Sequence, residues 1–159
     1  MAVTSDTLAE VRASPLFSDF SDEELEKLAE SMDLVRFAKG QSLFEEDSAG
    51  SALFVIYSGQ VGVTRKTAKE RTRERLLAVV GAGECVGEMA LVDGGTRSAT
   101  VMALDAVEAL QLSTDSYQAM REGDPKLAIK MALGVFRLLS KRLRQINKSL
   151  EIVHYWMFA

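Results

Sequence analysis

A chain of 159 residues, 47% hydrophobic and 26% charged, is about one globular domain's worth of sequence and too apolar to stay disordered. Nineteen Lys and Arg against 23 Asp and Glu leave a net charge of −4, which argues against a protein built to coat nucleic acid or an anionic membrane. The lone Cys85 excludes an internal disulfide, and the lone His154 leaves too few ligands for a His/Cys metal site and makes a Ser-His-Asp triad improbable. No run approaches the roughly 18 uncharged apolar residues of a membrane span. The opening MAVTSDTLAEVR lacks the basic and apolar regions of a secretion signal. The expectation is a soluble, cytoplasmic protein that is not an enzyme and carries no cofactor.

The chain divides into three stretches. Residues 1–33 carry nine Asp/Glu against Arg12 and Lys27 and predict two short amphipathic helices. Ser21 with Glu24 forms a capping-box signature for the second, followed by Leu25, Leu28 and Met32 along one face. Pro15 separates the two helices, and Leu16, Phe17 and Phe20 anchor the elbow.

Residues 34–113 change period. Nine of the eleven glycines fall between Gly40 and Gly95, punctuating short β-rich runs. Leu34–Phe37, Ser42–Phe44, Leu53–Tyr57, Val61–Thr64, Leu76–Val80, Ala99–Met102 and Val107–Leu112 each read as a strand. Ser58-Gly59 marks a tight hairpin, with Gly59 suited to positive φ. Seven or eight such strands make an antiparallel barrel or jelly roll. The expected class is therefore α+β: an eight-stranded antiparallel β-barrel flanked by N-terminal helices and a long C-terminal helix. The charge-dense RKTAKERTRER at Arg65–Arg75 reads as a solvated hairpin tip, since Glu70 and Glu74 dilute its charge and no aromatic interleaves.

From residue 114 to 159 the period is helical. Ser113 or Asp115 caps a short helix ending near Gly123, and Asp124-Pro125 starts a long one. Within it Ala132, Phe136, Leu139, Leu143, Ile146, Leu150, Val153 and Met157 keep an unbroken 4,3 spacing, about 38 Å of heptad seam. That seam predicts a parallel homodimer through residues 132–157, the alternative being a helix packed wholly on its own barrel. In the closing IVHYWMFA, Val153, Trp156 and Met157 finish the seam or form an aromatic docking patch; His154 reads as a surface or seam residue.

The stretch Gly83–Val101, GECVGEMALVDGGTRSATV, carries the chemistry. Gly87 followed by Glu88-Met89-Ala90-Leu91 lets a strand turn abruptly into a turn of helix, whose first N–H groups favour an anion. Gly94-Gly95 doubles the chain back, and Arg97 then stands within reach of the same spot. A guanidinium fork suits a phosphate, whereas Glu88 suits a sugar hydroxyl. An anion with a hydroxyl close by describes a ribose phosphate. The alternative use of Glu88 and Arg97 is an ion pair within the domain.

Val86-Gly87-Glu88-Met89-Ala90-Leu91 and Thr96-Arg97-Ser98-Ala99-Thr100 resemble the two halves of the phosphate-binding cassette of the cyclic nucleotide-binding domain family, F-G-E-[LIVM]-A-L and P-R-[AST]-A-T. That family includes the catabolite activator protein, the regulatory subunit of protein kinase A and gated ion channels. Gly40, Gly50 and Gly59 keep the family's glycine spacing, SPLFSDFSDEELEKLAE is similar to its N-terminal helical motif, and the likeness spans about residues 14–150. Val86 stands for the usual Phe, Thr96 for the usual Pro, and Asp47-Ser48 for a common Gly-Asp, so that turn is expected to take another shape.

The resemblance implies roles. Arg97 holds the exocyclic oxygens of a cyclic phosphate, Glu88 accepts from the ribose 2′-OH, and the N–H groups of Gly87, Ser98 and Ala99 add donors, with Val86, Met89 and Ala90 completing the cassette. Ser98 in place of Thr favours cAMP over cGMP. The Arg142–Asn147 zone of the long helix supplies a lid, with Asn147 or Ile146, from this chain or its partner, reaching the base. The implied function is a sensor that signals through its C-terminal helix to an effector protein, free-standing if the chain ends where it does. An interaction module of the same fold, binding a cyclic dinucleotide or nothing, is the alternative. A nucleic-acid binder using Lys126, Lys130, Arg137, Lys141, Arg142, Arg144 and Lys148 is a third; no nucleic acid or membrane partner is expected.

Overall fold

The computed structural model describes residues 3, 7–8, 11–67 and 70–158, excepting the side chains of 67, 70–74, 90 and 150–158. Of the first N-terminal helix, Thr7 and Leu8 fall among these and are helical; residues 11–19 then run as turns. Helix α1 (Asp22–Glu30) begins as its sequence demands. The Ser21 N–H donates to Glu24 Oε2 at 2.8 Å and the Glu24 N–H returns to Ser21 Oγ at 3.3 Å. These reciprocal bonds satisfy two of the amide groups that the first turn leaves without partners.

Eight strands form two four-stranded antiparallel sheets. β1 (Asp33–Phe37), β8 (Val107–Ser113), β3 (Ala52–Ser58) and β6 (Cys85–Val86) lie in that order in one sheet. β2 (Ser42–Phe44), β7 (Thr100–Ala103), β4 (Val61–Thr67) and β5 (Glu70–Val80) form the other. Three helices complete the fold: α2 (Glu88–Asp93), α3 (Thr114–Gly123) and α4 (Pro125–Phe158). This is the jelly roll with flanking helices that the strand pattern predicts. β6 has only two residues, too few to show a period.

The two faces of the first sheet feed two cores. In β3, Ala52, Phe54 and Ile56 point between the sheets and meet Val61, Val80, Val86, Val101, Val107 and Ala109. Leu53 and Val55 point the other way, with Leu110 and Leu112 of β8, into a core shared with Leu16, Phe17, Leu25, Leu28, Met131, Val135 and Leu138. A strand covered on both faces reads as a continuous apolar run, as Leu53–Ile56 does. The β3–β4 hairpin needs Gly59, which has φ +82 and whose Cβ would lie 2.4 Å from the Ala106 carbonyl oxygen.

Helix α4 is bound to the N-terminal elbow. Gly134 crosses so close to Leu16 that a Cβ would sit 2.2 Å from the Leu16 carbonyl oxygen. Lys130 Nζ lies 2.6 Å from Glu24 Oε2 and donates to the Asp19 carbonyl, and Arg137 pairs with Asp19 and donates to Ser18 Oγ. Two of the seven basic residues set against a nucleic acid thus face the chain's own acidic segment. Among the described residues no helix is long and apolar enough to cross a membrane.

The seam residues of α4 divide. Ala132, Phe136, Leu143 and Ile146 are exposed, Phe136 at 67%, while Leu139 is half-buried against the core. The opposite stripe, Leu127, Met131, Val135 and Leu138, is what packs on the domain. The side chains of Leu150, Val153 and Met157, with His154 and Trp156, lie outside the described residues.

Candidate functional site

β6 ends at Val86, and Gly87 turns the chain with φ +80. A Cβ there would stand 2.5 Å from Arg97 Nη1 and 2.9 Å from the Ala52 carbonyl oxygen, so both the turn and the contact require glycine. Helix α2 begins on the next residue, Glu88. After Gly94 and Gly95 the chain returns to Arg97, whose backbone is held by the loop after β2. The Asp47 N–H donates to the Arg97 carbonyl at 2.8 Å, and the Arg97 N–H donates to Ser48 at 2.9 Å.

Asp47 adopts φ +66, so a short polar residue takes the left-handed conformation that glycine ordinarily fills. Neighbouring Glu46 donates its N–H to Thr100 Oγ1, and its carboxylate accepts from the Lys66 N–H and Arg65 Nε. The Lys66 amide, with help from Arg65, holds that carboxyl below the usual carboxylate range against the opposing effect of burial.

Arg97 is only 4% exposed. Its Nη1 donates to the Gly87 carbonyl at 3.1 Å and its Nη2 to the Ala52 carbonyl at 2.7 Å, while Cζ lies 4.0 Å from the centroid of the Phe44 ring. Nε is buried with no hydrogen-bond partner, and among the described residues no carboxylate pairs with the guanidinium. Burial lowers its pKa, with the Glu88 charge acting in the opposite sense. The alternative of a Glu88–Arg97 ion pair is not what forms. Glu88, 6% exposed, instead accepts from Arg142 Nη1 of α4 at 2.6 Å, and Arg142 Nη2 donates to the Cys85 carbonyl. The two charged residues of the cassette are therefore in opposite states. The carboxylate has a cation, and the cation lacks an anion.

Both line one cavity. Val86, Gly87, Glu88, Met89, Arg97, Ser98 and Ala99, all expected at the site, border it together. The Ala90 side chain lies outside the described residues. Asn147 does not reach the cavity of its own chain: it is exposed, five residues and so about 140° around the helix from Arg142. Thr96, placed in the cassette by its sequence but given no role there, borders the cavity too, whereas sequence reasoning passes over Phe44 and the apolar wall of Val63, Ala78, Val80 and Val101. Strand alternation could have suggested the wall, since Val63 opposes Ala78 and Val61 opposes Val80 in register. Nothing in the local sequence marks Phe44, which lies 53 residues from Arg97. A buried cation, a carboxylate and apolar walls suit a small anion that carries a hydroxyl and a flat apolar group.

The model of the cyclic nucleotide-binding domain matches residues 34–124. The cyclic AMP receptor protein of Thermus thermophilus is 32% identical over 145 residues, covering 91% of this chain and 64% of that protein. The cGMP-dependent protein kinase, isozyme 1, of Drosophila melanogaster is 33% identical over 111 residues, 69% of this chain and 14% of the kinase. A crystal structure of a cyclic nucleotide-binding domain from Methylobacillus flagellatus superimposes with TM-score 0.81 at 30% identity, covering 91% of this chain and 83% of that one. The chain spans less than two thirds of the curated relatives it matches here. The cassette geometry, the two-sheet fold and these likenesses agree, and the chain belongs to the cyclic nucleotide-binding domain family.

Proposed function

We propose that this domain binds a cyclic nucleoside monophosphate, cAMP in preference to cGMP, without turning it over, and reports occupancy through α4. The observation that carries the reading is Arg97: a guanidinium 4% exposed, its Nε unpartnered, with no carboxylate paired to it among the described residues. An unpaired buried charge is costly, and a phosphate entering the cavity removes that cost by neutralising the guanidinium and accepting from N–H groups that the Gly87 and Ala52 carbonyls leave unused. Glu88 has a second oxygen to accept a ribose hydroxyl while Oε1 keeps Arg142. Through that pair the cassette and α4 are linked, so ligand-driven movement of one biases the other. Ser98 supports cAMP, and the relatives named for cyclic AMP and for cGMP make the choice of nucleotide a matter for measurement.

The exposed stripe of Ala132, Phe136, Leu143 and Ile146 supports a second copy packed along α4, and Asn147 of that copy is the residue we assign to the base. An effector protein would read the resulting change. Calorimetric titration with cAMP and cGMP tests the reading, after nucleotide carried through purification is removed. Micromolar binding of one, lost in R97A while the fold persists, is expected. A folded, nucleotide-free protein that binds neither refutes it and favours an interaction module. Sedimentation of wild type and F136E tests the dimer, the variant sedimenting as a monomer.

A further inference from the structure

We infer that Phe44 is a positioning residue for the anion site, its ring face fixing the tilt at which the Arg97 guanidinium meets a phosphate. This role builds on the nucleotide reading of the same cavity. The bonds from Nη1 to Gly87 and from Nη2 to Ala52 pin two corners of the guanidinium. A plane held at two corners still swings about the line between them, and that swing moves the unpartnered Nε and redirects the second N–H of each Nη, the donors left for an anion. Phe44 removes this freedom, because Cζ rests 4.0 Å from its ring centroid.

The ring's electron-rich face also attracts the cation, most strongly where water is excluded. Phe44 is itself fixed. It stacks on Phe54 with centroids 6.0 Å apart and planes at 27°, and Phe54 meets Phe37 edge-on at 6.0 Å. A Cβ on residue 87 would press on both partners, lying 2.5 Å from Arg97 Nη1 and 3.3 Å from Phe44 Cε1. Three aromatic rings thus form a ladder through the sandwich that ends beneath the guanidinium.

The test replaces Phe44 by phenylalanines carrying one, two and three ring fluorines, which drain the π face while nearly preserving shape. Two quantities are read: cAMP affinity by calorimetry, and the urea midpoint of the ligand-free protein in wild-type and R97A backgrounds. Affinity is expected to fall stepwise with fluorination, reaching about tenfold for the trifluoro ring, and F44L to fall at least as far. The urea midpoint should fall stepwise in the wild-type background and stay level with R97A, which a ring acting only as apolar filler would not do. A flat affinity series in protein that binds cAMP overturns the proposal, as does equal fluorine dependence in both urea backgrounds. If the wild type binds neither cAMP nor cGMP, the nucleotide reading falls and with it the role of Phe44 in affinity; a graded urea series would then make the ring a packing partner of Arg97 alone.

Discussion

Substituting Arg142 by Met keeps much of the side chain's length and removes its charge. Glu88, whose side chain is 8% exposed in the native chain, then loses its partner, and the Cys85 carbonyl loses a donor. Exposed ion pairs contribute about 0–1 kcal/mol, whereas removing one partner of a fully buried pair costs about 3–5 kcal/mol. Here the carboxylate is buried but the guanidinium is 27% exposed, so water screens one side of the pair. A loss of about 2 kcal/mol follows for R142M, which for a chain of this size lowers Tm by about 4–8 °C. E88Q should cost less, since a neutral amide is cheaper to bury, and E88Q/R142M should recover part of the loss. Urea unfolding of the four proteins at pH 7 gives the coupling energy, expected to exceed about 1 kcal/mol. R142M within about 0.5 kcal/mol of wild type, or strict additivity of the two substitutions, would show that the pair carries no weight in linking α4 to the cassette.

Other expectations follow from the same geometry. G134A places a methyl 2.2 Å from the Leu16 carbonyl oxygen, where backbone on both sides must shift; a loss of more than about 2 kcal/mol in urea is expected, and a near-neutral result would refute the close crossing. G87A strains a φ of +80 and drives a Cβ towards Arg97 Nη1, so nucleotide affinity should fall at least tenfold in a protein that still folds, as circular dichroism and calorimetry together would show. Lys130 above all, then the Ser21 amide, hold the Glu24 carboxyl below its usual range. Folding therefore favours the ionised form: this contribution is complete above the ordinary carboxylate pKa of about 4.3 and disappears as pH falls through the lowered value. The difference in urea midpoint between wild type and E24Q should accordingly shrink as pH drops from 7 to below 4. Burial pushes the Cys85 thiol well up, with Glu88 adding to the shift, so a thiol reagent should label it only through opening of the fold; faster labelling in R142M would report release of the α4 contact.

Much of this molecule is legible in one dimension because the signals are local. The Ser21/Glu24 capping box and the Asp124-Pro125 helix start involve residues a few positions apart and stand where the sequence puts them, and the cap of α3 falls to Ser113, one of its two candidates. Short β-rich runs set off by glycines find seven of the eight strands, and the continuous apolar run of β3 follows from its burial on both faces. The cassette is legible for the same reason: Gly87, Glu88 and Arg97 lie within eleven residues, and the turn that joins them is written in glycines. Long-range partnership is not. That Glu88 takes Arg142, 54 residues on, and that Arg97 lies over Phe44 and is braced by Asp47 and Ser48, depend on which strands become neighbours. Likewise α4 carries apolar residues on two sides, and only packing shows that Met131, Val135 and Leu138 turn inward while Phe136 and Leu143 remain outside. The residue types and local turns of an anion site were set by the sequence alone. Which charge is neutralised and which is left without a carboxylate among the described residues was decided by tertiary structure, because electrostatic balance depends on distance in space and on the exclusion of water, and neither is encoded in spacing along the chain.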